Sequence, residues 1–477
     1  MNNQEMRNLS LKNIALACEG TYVGPSELED KVICGAVIDS RLVEQDYLFI
    51  PIKGERVDGH NFIPQVFEKG AACVLSEVEL ENPAGPYIRV ESSEVALKKI
   101  AAFYRQSLSI KVVGITGSVG KTSTKEMIAS VVAQKYSAHK TAGNFNNEIG
   151  LPLTIFGIRS EHQVAILEMG ISDFNEMHRL AEVANPDIAV ITNIGLCHLE
   201  NLGTRDGILQ AKTEMFDHMK EGGVAILNGD DDKLATKSVV NGKPVVFYGL
   251  GVEPKTDENG VAMAEKSIYA TNVENLGFDG MQTTIYTPQG NFDVHISIPG
   301  EHNVYNALAA TAVGLELGIN LEEIKKGIEE AKTIAGRTNL IKANGMNVVD
   351  DCYNANPVSM EAALDVLSHA KGRTIAVLGD MGELGENEVV LHYGVGKCVA
   401  EKQIHTLFCA GTLAQEYKRG VEDVLRESGN GECEVYYFTQ RDEMIKELLS
   451  YVKAGDSILI KASHFMDFPK VVEALTK

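Results

Sequence analysis

From Lys111 onward the sequence alternates short, uniformly apolar runs with helical patterns, and this alternation restricts the fold more than any other feature. KVVGIT (111–116), QVAILEM (163–169), PDIAVITNI (186–194), GVAILN (223–228) and PVVFYG (244–249) offer no polar face to water. Strands of that kind are buried on both sides. With helices between them they predict a parallel sheet covered on both faces. Residues 267–298 read differently: SIYATNV, QTTIYT and DVHISI alternate around GFDG and PQGN turns, the pattern of an antiparallel appendage. A helix follows from about Asn303 to Leu317. MNVVDD, TIAVLG, TLFCAG, EVYYFT and SILIKA then start a second α/β series, which predicts another doubly wound sheet.

The first 107 residues are mixed, with DYLFIPI and AACVLS as short strands of a small α/β unit. Pro83, Gly85 and Pro86 punctuate it, and VALKKIAAFYRQSL predicts a helix that carries the chain onward. A length of 477 residues suits three domains at about 150 residues each, with limits read at 1–107, 108–333 and 334–477. MNNQEMRNLSLKN lacks a basic segment followed by an apolar one, and no apolar run is long enough to span a bilayer. A formal charge of −22 disfavours nucleic acid, since no basic surplus exists to neutralise phosphates. Small anions remain open as ligands, because they bind loops and helix ends rather than net charge. The 8 cysteines contain no C-x-x-C pair, which suits a reducing cytoplasm.

The chemistry concentrates first in KVVGITGSVGKTSTK (111–125). A strand, a glycine loop and a helix opening on Lys121 and Thr122 are what a phosphate cradle needs. Backbone N–H groups and the positive helix end face phosphates, Lys121 reaches the outer ones, and Thr122 suits Mg²⁺. The register departs from G-x-x-x-x-G-K-[ST], because counting back from Gly120 reaches Ile115 and not a glycine. An ordinary strand-to-helix turn is the plain alternative.

Further candidates lie downstream. Glu168 ends a strand at the sheet edge where ligands bind; it fits a Mg²⁺ ligand or a solvated strand-end acid. His198 follows a strand end and Lys212 lies in a helical pattern; taken alone, each reads as an ordinary structural or solvated residue. Asn303 and Asn306 share a helix face, where paired amides cap the helix or read an adenine edge. Asp350 and Asp351 end a strand before Pro357 at a helix start, as a ribose-hydroxyl acceptor or a turn former.

Together these segments resemble the Mur ligases and the related folylpolyglutamate synthetases, whose Gly-Lys-Thr is preceded by Thr-Gly-x-x. The off-register glycine is that lineage's own spelling. The resemblance runs in order through DSR (39–41), KGERVDGHNF (53–62), GNFNNEIGLPLT (143–154), EMG (168–170), NIGLCHLENLG (193–203), AKTEMF (211–216), GEHNVYNALAA (300–310), GR (336–337), DDCYNANPVSM (350–360) and LGDMGELG (378–385). GNxNNxxGLPLT, YNANP and LGDMxELG point within the family to the branch that joins D-alanyl-D-alanine to UDP-N-acetylmuramoyl-tripeptide. No DNPR-type motif of the tripeptide-forming relatives is present.

The resemblance implies an α/β protein of three domains: a small UDP-substrate-binding one, a central phosphate-loop ATPase and a Rossmann-like C-terminal one. It implies an ATP- and Mg²⁺-dependent ligase that acts in the cytoplasm as a monomer on a peptidoglycan precursor, without membrane insertion. Position by position, Thr116, Gly117, Ser118, Val119, Gly120, Lys121 and Thr122 hold phosphates. Thr122 and Glu168 hold one Mg²⁺, and His198 and a carbamylated Lys212 hold a second. Asn303 and Asn306 take the adenine side, Arg337 the γ-phosphate and Asp351 the ribose. Ser40, Arg41, Asn144, Asn146 and Asn147 contact the UDP-peptide. The chain departs from the family's KGSR at Ala462 and His464, within a segment that contacts the peptide substrate, and has Cys352 in place of the usual Ser. A nucleotide-dependent switch protein is the alternative from another class, and it has no need of the matches at His198, Lys212 and Asp351.

Overall fold

A computed structural model describes residues 5–256, 260, 263–429 and 431–477, so residues 1–4 of the N-terminal stretch read above lie outside it. The uniformly apolar runs do form a parallel sheet. Across the central sheet the strands lie in the order 138–140, 164–168, 111–116, 188–191, 224–228, 246–250, 268–275, 281–287 and 290–296. The first seven run parallel, and each of the last two pairs antiparallel with the strand before it. Strand Lys111–Thr116 sits where the order reverses: the next strands go to one side of it, and Ile188–Ile191 opens the other. A loop leaving that strand therefore opens into the crevice that doubly wound sheets use for ligands.

Continuous apolarity follows from two covered faces. Val113 and Ile115 join one buried cluster with the helices Lys121–Val132, His302–Glu316 and Leu321–Glu329. Val112 joins a second on the opposite face, with helices Gly150–Phe156, Glu176–Ala184 and Arg205–Thr213. The segment expected as an antiparallel appendage is antiparallel, and it extends the edge of this sheet. Strand Ile268–Asn275 pairs parallel with Val246–Leu250 before the hairpin turns back. Its alternation arises because helices cover one face only and the other meets solvent.

The N-terminal sheet has the order 21–23, 87–89, 73–76, 47–49 and 35–37, with only the first strand antiparallel. Helix Ser93–Ser107 links it to the central sheet, and the core on its inner face is continuous with the second central cluster. Arg105, 1% exposed, donates to the carbonyls of Ala184 and Asn185 and fastens that helix to the next unit. The C-terminal sheet runs 339–343, 346–350, 457–461, 374–379, 406–410 and 434–438. Asn339–Ala343, an edge strand the sequence pattern did not reveal, is its antiparallel member. No helix among the described residues is long and apolar enough to cross a membrane, and no disulfide joins cysteines among them.

Candidate active site

The phosphate loop is braced from behind. Ser118 N–H donates to Asn193 O at 3.0 Å and Val119 N–H to Asn193 Oδ1 at 3.0 Å, while Thr192 Oγ1 donates to Val119 O at 2.7 Å. Gly117 has φ +151°, and a Cβ there would lie 1.9 Å from Thr192 Oγ1, so no other residue fits. Gly120, at φ +81°, caps helix Lys121–Val132 without a side chain, which leaves the positive helix end open to an anion. Thr116 is buried at the strand end, its hydroxyl without a partner.

Cations gather at this opening. Lys121 Nζ donates to Gly117 O at 2.9 Å, and burial lowers its proton affinity. Lys212, 1% exposed, is pushed down to about 8 by burial and by the nearby charge of Lys121. Arg337 lies with its guanidinium 4.0 Å from the centre of the Tyr353 ring, and its field also reaches Lys121. Among the described residues, none of the three has an ion-pair partner. Lys212 is not the solvated helix lysine that its pattern allowed. Glu214, its obvious partner, instead accepts from the N–H groups of Asn175 and His178.

Glu168 is buried, which removes its reading as a solvated strand-end acid. Its Oε1 accepts from Thr122 Oγ1 at 3.1 Å and from Asn146 Nδ2 at 2.9 Å. Oε2 is buried without a hydrogen bond, with Lys125 Nζ 3.6 Å away. An orphaned hard oxygen beside a hydroxyl suits a cation such as Mg²⁺. No group of three His, Cys, Asp or Glu side chains forms a metal cluster among the described residues. A Mg²⁺ ion bound here would draw on Thr122 and Glu168, with its remaining positions left to nucleotide oxygens and water.

The remaining candidates divide. His198 caps the short helix Leu199–Leu202 and places Nδ1 2.9 Å from Glu383 Oε2. Asn303 and Asn306 do not cap their helix. Thr124 Oγ1 donates to Asn306 Oδ1, Asn306 Nδ2 to Asn303 Oδ1, and Asn303 Nδ2 to Pro299 O, a chain that ties the helix to the loop helix. Asn303 and Arg337 also line a narrow cleft with Ser123, Glu126 and Lys332. Asp351 pairs with Lys461 at 2.6 Å and accepts from Thr338 N–H at 2.9 Å. Cys352 donates from Sγ to Asp350 Oδ1 at 2.8 Å.

Ser40 and Arg41 stand on the N-terminal unit, where Arg41 folds onto Asp39 at 2.6 Å and is 86% exposed. Asn147 Oδ1 accepts from Gly150 N–H at 2.8 Å, a structural task at the start of the next helix, and Asn144 is exposed. Ala462 is buried against Gly379, and His464 is exposed near the Tyr353 ring, beside a hollow of about 370 Å³ that includes Phe465 and Arg441. Sequence reading missed Lys125, which is 1% exposed and donates to Thr141 O at 2.7 Å. Its spacing of four from Lys121, on the same helix face, was the available signal. Lys461, Asn193 and Glu383 gave no local signal.

Family models match most of the chain: "Mur ligase family, catalytic domain" over residues 33–105, "Mur ligase middle domain" over 115–314, and "Mur ligase, glutamate ligase domain" over 336–464. UDP-N-acetylmuramoyl-tripeptide–D-alanyl-D-alanine ligase of Bacillus subtilis is 38% identical over 98% of both chains. The Escherichia coli protein of the same name is 33% identical over 94% of both. Among solved structures, MurF from Acinetobacter baumannii superposes with a TM-score of 0.87 at 32% identity, covering 99% of each chain. MurF ligase from Thermotoga maritima, in complex with ADP, gives 0.79 at 29% identity, over 92% of this chain and 96% of that one. The off-register glycine loop, the cations around it and likeness along the whole chain lead to one assignment: this protein belongs to the Mur ligase family.

Proposed function

We infer that this protein is an ATP-dependent ligase that joins D-alanyl-D-alanine to UDP-N-acetylmuramoyl-tripeptide in the making of a peptidoglycan precursor. One observation carries the reading: Lys121 and Arg337 stand together at an open helix end, and among the described residues neither forms an ion pair. Unpaired cations with little access to water are unfavourable, and a polyphosphate relieves them. The name shared by relatives at 38% and 33% identity supplies the two substrates.

Amide formation from a carboxylate and an amine is uphill in water, so the carboxylate is first activated. An oxygen of the tripeptide's terminal carboxylate attacks the γ-phosphorus of ATP, the bond to the bridging oxygen breaks, and ADP leaves. The dipeptide amine then attacks the acyl carbon of the acyl phosphate, and phosphate departs with the bonding pair and takes up, through solvent, the proton the amine loses. Lys121 and Arg337 spread the charge on the transferred phosphoryl group. Thr122 and Glu168 would hold one Mg²⁺ and His198 and Lys212 a second, and the bound ions would supply further charge neutralisation. Lys212 takes that role as a carbamate, and a proton affinity of about 8 keeps the required neutral amine accessible.

In the same reading Asn303 and Asn306 stand on the adenine side and Asp351 faces the ribose. Ser40, Arg41, Asn144 and Asn146 belong to the UDP-peptide path, whereas the Asn147 side chain is taken up by the N–H groups of Ile149 and Gly150 at the next helix start. The domain limits fall at 107/108 and 333/334, and the enzyme works as a cytoplasmic monomer. The deciding experiment measures phosphate release with UDP-N-acetylmuramoyl-tripeptide, with and without D-alanyl-D-alanine. Release that requires both supports the reading; release with a single amino acid in place of the dipeptide overturns it.

A further inference from the structure

We propose that Glu383 is a positioning residue for His198, and that it joins cation binding at His198 to docking of the C-terminal unit. The inference rests on His198 being a cation ligand, as read above. His198 follows strand Ile188–Ile191 of the central sheet, whereas Glu383 follows strand Thr374–Gly379 of the C-terminal sheet. Their side chains meet at 2.9 Å, Nδ1 to Oε2. Among the described residues, Glu383 is the imidazole's only ion-pair partner. A carboxylate at Nδ1 holds the ring proton there and leaves the Nε2 lone pair for a cation.

Backbone geometry gives a second, independent sign. His198 has φ +48° and Glu383 φ +60°, and neither is glycine. Such conformations are unfavourable for side-chain-bearing residues and persist where surrounding structure enforces them, often at functional sites. The Glu383 loop is enforced from its own side: Met381 N–H donates to His392 Nε2 at 2.9 Å and Gly382 N–H to Ser463 Oγ at 2.9 Å. Nearby, Val358 of the C-terminal unit lies beside Gly195 of the central one, so the pair sits on the seam between them. An ordinary ion pair across a seam needs neither two strained backbones nor the ring nitrogen opposite the proposed cation.

The test uses Mn²⁺ as the probe, bound to the full-length protein with ADP and followed by electron paramagnetic resonance. Glu383→Gln keeps the shape and removes the charge, and it is expected to weaken Mn²⁺ binding about 10-fold or more, as loss of such a partner does elsewhere. Glu383→Asn, a residue that tolerates positive φ, guards against a folding defect and is expected to weaken it likewise. The double variant His198→Ala/Glu383→Gln is expected to bind no more weakly than His198→Ala alone. Small-angle X-ray scattering is expected to show Mn²⁺ compacting the wild type more than Glu383→Gln. Unchanged Mn²⁺ affinity in both Glu383 variants, with loss in His198→Ala, overturns the proposal and leaves the ligand reading standing. Unchanged affinity in His198→Ala as well removes the ligand reading and the proposal together.

Discussion

The phosphate loop and the Ser40–Arg41 turn are both read as anion sites, yet they are built in opposite ways. The loop is finished before any ligand arrives. Its backbone is pinned by Thr192 and Asn193, and its cations (Lys121 half-buried, Lys212 buried, Arg337 stacked) form no ion pair among the described residues. The turn is unfinished. Arg41 lies in solvent and is occupied by Asp39, whose carboxyl it holds down at about 2. An exposed pair of that sort contributes little and is exchanged readily for a better anion. One site is made by packing, the other by its ligand, so mutations in them should leave different kinetic marks.

The largest effect is expected at the packed site. Lys121→Ala should lower kcat/KM for ligation about 1,000-fold, on the scale of losing a group aimed at transition-state charge. Its melting curve should hold, because the ammonium makes no ion pair in the fold. Near-normal turnover would remove the contrast with Arg41. Next in size is Lys212→Ala, which should cost about 100-fold or more on the same scale, with part of the rate restored by acetate or propionate. Lys212→Arg should stay inactive, since guanidinium forms no stable carbamate; an active Arg variant would make Lys212 a plain cation.

Arg41→Ala should raise the KM for the UDP-peptide roughly 10- to 100-fold, the usual scale for a hydrogen bond to a charged group, and leave the KM for ATP unaltered. Equal rises for both substrates would show that the turn is coupled to the loop and not independent of it. Asn147→Ala should have the smallest effect, about 1 kcal/mol of stability from the lost contact at the helix start, with both KM values unchanged. A selective rise in KM for the UDP-peptide would return Asn147 to the substrate path.

Much of the parallel architecture was legible because buried strands and capped helices write themselves into short windows. The loop was legible for the same reason: strand, glycines, Lys121 and Thr122 are contiguous. The 267–298 segment misled only in its attachment, since alternation reports a half-covered face and not which strand lies alongside. What stayed hidden depends on separation. Lys461 meets Asp351 across 110 positions of sequence, and Glu383 meets His198 from another sheet. Lys125 was hidden differently, as a lysine in a helix that looks solvated until Glu168 and Thr141 close over it. Asn303 and Asn306 bore a correct periodicity, but only the fold shows their amides linked to Thr124 rather than turned to their own helix.

The core running unbroken from Met6 to Phe247, beneath both the N-terminal and the central sheets, has a consequence for how the molecule comes apart. Those two sheets share one apolar interior, so loosening either exposes the other, and they melt as a single cooperative block. The C-terminal sheet has its own buried clusters on its two faces, with Phe278 as a central-unit residue packed against one of them. It can therefore open while the rest holds. Calorimetry should resolve two transitions rather than three, and amide exchange should assign the N-terminal and central strands to the same one.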